Sequence, residues 1–259
     1  MIYLIYKRIY SILTGRRMGR NTFEKELNMA VKLCKEAGAL QLKRRYKHKN
    51  ITIKADSSPV STVDVLCETH IRRGLKRAFP DDGVLGEEGG QEAKESSRKW
   101  IIDPLDGTRP YLRGMPTFSV LLSLEIDLQP VVGVIYLPAM NELYCAAPGK
   151  GAWCNNKKLH VSETKKISES MGSGLGFLTK KNNPASDKLQ KLLTDADYYY
   201  GFMDAYSYGS VAAGRLDFCV NLLDKPWDCS AAAAIVQESG GCFSDIAGNK
   251  TCHITDMES

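Results

Sequence analysis

The stretch Trp100–Tyr111, "WIIDPLDGTRPY", decides how the rest of the chain is read. Trp100, Ile101 and Ile102 are apolar enough to form an interior strand. Pro104 has no N–H to give to a ladder, so pairing is expected to stop there and leave Asp103 at a strand end. In open α/β sheets, sites gather at such ends. Gly107 lets a ligand come close to the backbone, and Thr108 can open a helix whose free N–H groups would face an anion. Asp103 and Asp106 beside such a helix start would repel each other and the anion, and a divalent cation removes that conflict. Hard oxygen ligands of this kind select Mg²⁺, held by one or two carboxylates, water and substrate phosphate. The local chemistry therefore suggests a metal-dependent phosphate site. The competing reading is a strand end with solvated acids and a helix cap.

Upstream, Thr22 to Tyr46 has the period of an amphipathic helix, with Phe23, Leu27, Val31, Cys34 and Leu42 near one face. "NITIKAD" (Asn50–Asp56) is a short alternating strand, and "SSPVST" (Ser57–Thr62) a turn ending in a helix cap. Ser61 with Asp64 three residues on matches a capping box, and a helix to about Phe79 should follow. "FPDDGVLGEEGG" (Phe79–Gly90) reads as a turn, a brief strand and an acidic, glycine-rich loop holding Glu87 and Glu88. Taken alone, those two acids suit a solvated loop.

Downstream, Thr117 to Trp153 is all strand, and Asn155-Asn156 marks a hairpin turn. Beyond Ser162 helices and short strands alternate. "PASDKLQKLLTDA" (Pro184–Ala196) is a helix, "AYSYGSVAAGRLDFCVN" (Ala205–Asn221) a helix, glycine stop and strand, and "WDCSAAAAIVQESGG" (Trp227–Gly241) a helix ended by glycine. By position alone Asp228 would be an N-cap. There is no internal repeat, low-complexity tract or long linker. The pattern predicts an α+β chain whose two halves, 21–160 and 161–259, share one compact body behind an extension of residues 1–20.

The remaining composition narrows the chemistry. The net charge of +5 is mild, and Lys and Arg are strewn rather than striped, which disfavours nucleic acid as a partner and suits a small anionic substrate. None of the eight cysteines shows CxxC spacing, as expected for reduced thiols of a cytoplasmic protein rather than a disulfide framework. The four histidines, His48, His70, His160 and His253, form no HxxxH or HExxH pattern, so catalysis falls to carboxylates, hydroxyls and metals. The opening "MIYLIYKRIYSIL" is far shorter than the roughly 20 apolar residues of a transmembrane helix and lacks a small-residue cleavage site. It reads as an upstream extension with Met18 as the natural start, or as a short membrane-surface helix.

Taken together, these motifs resemble the inositol monophosphatase superfamily of Mg²⁺-dependent, lithium-sensitive phosphatases. "WIIDPLDGTRPYLR" is similar to that family's first signature, "GEE" (Gly86–Glu88) to its upstream acidic motif and "WDCSAAAAIVQESGG" to its second signature. "GKGAWCNNKKL" (Gly149–Leu159) resembles its central hairpin, and "GGCFSD" (Gly240–Asp245) the strand after the second signature. The resemblance spans Thr22 to Asp245. It implies the layered αβαβα sandwich shared with fructose-1,6-bisphosphatase, and a cytoplasmic homodimer. It also implies a site between the halves, where two or three Mg²⁺ ions bind. Glu87, Asp103 and the Leu105 carbonyl would hold the first ion, Asp103, Asp106 and Asp228 the second, and Glu87 would share a third, weaker one. Gly107 and Thr108 N–H groups would bind phosphate. The Thr108 hydroxyl, backed by Asp64, would orient and help deprotonate the attacking water.

Three features depart from the family pattern. Ser230 stands where the second signature carries Ala or Cys. Asn221, seven residues before Asp228, stands where animal inositol enzymes carry a glutamate that meets substrate hydroxyls, and is the candidate substrate-binding residue. The chain stops soon after "GGCFSDIAGNK", short of the final strand and helix that the resemblance implies. Within the same superfamily, "DGTRPYLRGMPTF" also resembles the histidinol-phosphate phosphatase branch. A haloacid-dehalogenase-type phosphatase is disfavoured, because there a single residue separates the two acids and here Pro104 and Leu105 do. A non-catalytic family member that binds phosphate or a protein is the remaining alternative.

Overall fold

The computed structural model describes residues 23–46, 51–53, 59–176, 184–201, 204–245, 247–250 and 252. The opening segment, His48 and His253 lie outside them. In chain order the elements are α1 (Glu24–Arg44), β1 (Ile51–Ile53), β2 (Pro59–Ser61), α2 (Thr62–Ala78), β3 (Gly83–Gly86), β4 (Gly90–Glu92), β5 (Arg98–Asp106) and α3 (Thr108–Leu112). Then come β6 (Ser119–Ile126), β7 (Gln129–Leu137), β8 (Glu142–Ala147), β9 (Gly151–Cys154) and β10 (Lys157–Lys158). The second half supplies β11 (Met171–Leu175), α4 (Pro184–Asp195), β12 (Tyr198–Tyr200), α5 (Asp204–Ala212), β13 (Phe218–Asn221) and α6 (Pro226–Glu238).

The main sheet has eight strands in the order β10-β9-β8-β7-β6-β5-β3-β4, antiparallel except for the β3/β5 pair. Its centre is buried on both faces, which is why β6 and β7 read as near-continuous apolar runs. Trp100, Ile102, Leu122 and Leu124 point to one face and meet Leu33, Cys34 and Ala37 of α1 and Cys67, Ile71 and Leu75 of α2. Leu121, Ile135 and Tyr144 point to the other and meet Ala231, Ala232 and Ile235 of α6. The small residues of α6 let it lie close. A Cβ on Gly133 of β7 would collide with the Ala231 carbonyl. Beyond α5 and α6 lies a parallel three-stranded sheet, β12-β11-β13, with α4 against β11. The layers α1/α2, main sheet, α5/α6, small sheet and α4 are the predicted αβαβα sandwich.

Several local expectations need correcting. The buried stripe of α1 is Ala30, Leu33, Cys34, Ala37, Gly38 and Gln41, and Leu42 is exposed. Of the expected stripe, Phe23 and Cys34 are buried and Leu27 and Val31 pack partly buried against the core, so Leu42 is the one residue misplaced. β5 does not stop at Pro104 but runs on to Asp106. Residues 241–244 form no strand. Gly241 N–H is used by Val236 O, and Asp245 folds back on Asn249 in a local turn. All eight cysteines are free thiols, and no helix among the described residues is long and apolar enough to cross a membrane.

Candidate active site

The turn of β5 builds the site. Asp103 pairs with Leu121 and Asp106 with Ser119, so β5 spends one more residue than β6 over that interval. Side chains alternate along a regular strand, so two residues three apart would face opposite ways. The extra residue is a β-bulge, and it returns Asp106 to the face of Asp103. Directly opposed residues of an antiparallel pair share a face, and Leu121 packs toward α6. Both aspartates therefore face the helix that carries Asp228. Pro104 fits inside the bulge because no ladder N–H is required of it there, and Gln41 Nε2 holds its carbonyl at 2.9 Å.

The acids converge as that geometry requires. One carboxylate oxygen each from Asp103, Asp106 and Asp228 lies within 4.8 Å of the others. Asp103 Oδ1 accepts from Leu105 N–H at 3.0 Å. Asp106 Oδ2 accepts from Ser119 Oγ at 2.8 Å and from Ala205 N–H at 3.0 Å. Asp228 is not an N-cap. It sits inside the first turn of α6 after Pro226, with Oδ2 accepting from Lys225 N–H at 2.6 Å. Ser230, two residues further along α6, donates to Glu125 at 2.8 Å and accepts from Ser123 at 2.7 Å, so its hydroxyl is satisfied within the core. Glu87 follows β3, with its N–H on Ile102 O at 3.2 Å. It lies outside the triad, but its negative charge helps raise the pKa of Asp103 and Asp228.

Burial, reinforced by Glu87, Asp106 and Asp228, raises Asp103 well above the carboxylate range. Burial and then the Asp204 charge push Asp106 to about 8. Asp228 rises to about 7, through burial and the charges of Asp106 and Glu87, against the Lys225 N–H bond. Carboxylates forced together in this way hold protons at neutral pH unless a cation replaces them. The donor set, all oxygen and without a histidine or thiolate, fits a hard divalent cation.

Next to the cluster, Gly107 adopts φ 72°, and a Cβ there would lie 2.8 Å from the Thr117 carbonyl, so only glycine fits. The following helix is a single short turn, α3, shorter than a helical anion site would suggest. Thr108 Oγ1 lies 3.0 Å from the Leu105 carbonyl and 3.3 Å from Asp64 Oδ1. Asp64 is fully buried and completes the expected capping box, with Oδ2 taking Ser61 N–H at 2.8 Å and Ser61 Oγ at 2.6 Å. Burial raises its pKa, and the Ser61 and Thr108 hydrogen bonds oppose that rise.

Two acids in this neighbourhood were not expected from the sequence. Asp204 opens α5 at φ 43°, its Oδ2 would lie 3.3 Å from a Cβ on Gly107, and burial lifts it to about 6. Asp224 is half-buried beside Asp228, takes a short hydrogen bond from the Tyr208 hydroxyl and rises to about 8 through desolvation and the Asp228 charge. Only Asp224 left a trace in the sequence, four residues before Asp228 across Pro226. Asn221 ends β13 with its Oδ1 taking Leu223 N–H at 3.0 Å, and its side chain also bonds Asp224. Its carboxamide is thus engaged with its own loop.

Direct comparison names the class to which this layered fold belongs. The family model for the inositol monophosphatase family matches residues 23–257, and the chain belongs to that family. Among its relatives, a histidinol-phosphatase of Chlorobaculum parvum is 36% identical, covering 87% of this chain and 88% of its own. A fructose-1,6-bisphosphatase/inositol-1-monophosphatase of Aquifex aeolicus is also 36% identical, over 86% and 90% of the two chains. Among solved structures, the extragenic suppressor protein suhB of Bartonella henselae superposes with a TM-score of 0.78 at 29% identity, covering 87% of this chain and 89% of that one.

Proposed function

We propose that the chain is a Mg²⁺-dependent phosphomonoesterase of inositol monophosphatase type, hydrolysing a small phosphorylated metabolite by direct attack of water. The observation that carries this reading is the convergence of Asp103, Asp106 and Asp228 within 4.8 Å, beside the Gly107 turn and the Thr108–Asp64 pair. Those three acids, with Glu87 and the Leu105 carbonyl, would hold two or three ions. Bound Mg²⁺ supplies polarisation of the phosphoryl oxygens and an acidified water.

The remaining work belongs to the chain. Gly107 and Thr108 N–H groups hold the phosphate. Thr108 Oγ1 takes a proton from the attacking water as its own passes to Asp64 Oδ1, 3.3 Å away. A buried Asp64 with raised pKa is a better base near neutrality than an exposed aspartate.

A second reading within the same chemistry is a histidinol-phosphate phosphatase. Asp204 and Asp224 favour it, because a cationic leaving group would neutralise acids that burial leaves costly to ionise. The relative from Chlorobaculum parvum bears that name. The test is phosphate release with Mg²⁺ from inositol 1-phosphate, histidinol phosphate, adenosine 3′,5′-bisphosphate, fructose 1,6-bisphosphate and glycerol 2-phosphate. Inositol 1-phosphate turned over fastest supports the first reading, and histidinol phosphate the second. No release from any of them supports the non-catalytic alternative.

A further inference from the structure

We infer that Glu68 is a positioning residue for the acidic loop that presents Glu87, an inference that rests on the metal-site reading above. Glu68 lies one helical turn beyond Asp64 on α2 and is only 2% exposed. Its carboxylate does not enter the acid cluster. It points instead into the loop between β3 and β4, where Oε2 accepts from Glu88 N–H and Oε1 from Gly89 N–H, both at 2.8 Å. These are the two amides that follow Glu87. Arg72, a further turn along α2, donates from Nε to Glu68 Oε1 at 2.6 Å and from Nη2 to the Gly90 carbonyl at 2.5 Å. Its guanidinium balances the Glu68 charge, so the loop is gripped without a further net negative charge beside the metal ligands. Residues 88 to 90 are thereby tied to α2 through three backbone groups.

The loop glycines provide independent support. A Cβ on Gly86 would collide with the Glu68 carboxylate, and one on Gly89 would lie 2.6 Å from Glu68 Oε1 and 3.0 Å from Arg72 Nε. Neither glycine has a left-handed φ. They are required because the backbone presses onto Glu68, not because the turn is tight. Two of the three glycines of "LGEEGG" thus report the carboxylate beneath them, while Gly90 is glycine for its left-handed φ of 63°. One face of α2 therefore serves the site twice: Asp64 receives the Thr108 hydroxyl, and Glu68 fixes the direction from which Glu87 approaches Asp103. Outer partners of this kind orient metal ligands, and their loss typically weakens metal binding by about 10–100-fold.

The test is isothermal titration with Mg²⁺ of the wild-type chain, Glu68→Ala, Glu68→Gln and Gly89→Ala, with amide hydrogen exchange on the same proteins. Glu68→Ala should bind Mg²⁺ about 10–100-fold more weakly. Glu68→Gln keeps one acceptor and should fall between it and wild type. Gly89→Ala leaves the carboxylate in place but pushes the loop away from it, and should weaken binding in the same direction even if Glu68→Ala fails to fold. Exchange should quicken at Glu88 and Gly89 while α2 stays protected, and kcat at saturating Mg²⁺ should largely recover. Wild-type binding with unchanged affinity in folded variants, or a lower Tm as the sole effect, overturns the role of Glu68. No Mg²⁺ binding by wild type overturns both this inference and the metal-site reading.

Discussion

Asp103 and Asp106 face the same side of the main sheet because the strand between them carries one extra residue. Asp103 opposes Leu121, and Asp106 opposes Ser119. Without that bulge one of the two would point toward α1 and α2, and the cluster with Asp228 could not form. A single irregularity in the backbone thus converts a three-residue spacing into a pair of convergent carboxylates.

Asp106→Asn is expected to keep the fold and lose turnover by more than about 100-fold, since even indirect partners of a metal ligand are worth 10–100-fold. Ser119 Oγ and Ala205 N–H both reach the same oxygen, Oδ2, so an Asn carbonyl placed there keeps both bonds. In EDTA at pH 8 the variant should melt at the wild-type temperature or above it, because a buried negative charge has gone. Melting curves and kcat measured together check this. Near wild-type activity at ordinary Mg²⁺ would remove Asp106 from the ligand set.

Thr108→Ala should lower kcat by roughly 10²–10⁴-fold, the usual value of a positioned acid–base group, and leave the Mg²⁺ titration unchanged. Asp64→Asn should show a similar loss and also melt earlier. It weakens the capping box on Ser61, a cap being worth about 1 kcal/mol. A change confined to Mg²⁺ dependence in Thr108→Ala would make Thr108 a structural residue.

Metal-free stability should fall as pH rises. Asp228 and Asp106 titrate at about 7 and about 8 in the folded chain, against roughly 3.9 when unfolded. Between those values the native state binds more protons than the unfolded state, so each unit of pH costs stability. The share of the loss due to these two groups should begin near pH 4 and be complete above about pH 8. Saturating Mg²⁺ should flatten or reverse it. Thermal melts from pH 5 to pH 9, with EDTA and with Mg²⁺, read this directly, and a metal-free protein that gains stability over that range contradicts the cluster energetics.

Asp204→Ala should shift substrate preference away from a cationic leaving group. The expected result is a fall in kcat/KM for histidinol phosphate relative to inositol 1-phosphate, by about tenfold if one charge-assisted hydrogen bond is lost. An unchanged ratio means that Asp204 does not meet the substrate.

Much of this architecture could be read from residue patterns. The apolar run before Asp103, the Ser61–Asp64 cap and the glycine after Asp106 carry local rules, and local rules survive translation into structure. The layered fold followed from motif resemblance rather than from periodicity. What escaped was set by tertiary contact. Pro104 was expected to end the strand, because a proline signals a missing N–H but not the bulge that tolerates it. On α1 the period brings Phe23, Leu27, Val31 and Cys34 to the core but misplaces Leu42, which is exposed, because periodicity does not register that Ala30, Ala37 and Gly38 also lie on the buried face. Glu68 and Asp204 belong to no local pattern, since each acquires its role from a loop or turn distant in sequence. At Asn221, the candidate substrate contact, residue pattern gave no sign that the carboxamide bonds Leu223 N–H and Asp224.

The central claim is that Asp103, Asp106 and Asp228 together hold a divalent cation. Anomalous diffraction from crystals grown with Mn²⁺ in place of Mg²⁺ tests it most directly. The account predicts a strong anomalous peak within roughly 2.0–2.3 Å of a carboxylate oxygen from each of the three residues, and its loss in Asp106→Asn. A well-ordered site with no peak at saturating Mn²⁺, or a peak held by other residues, would contradict it.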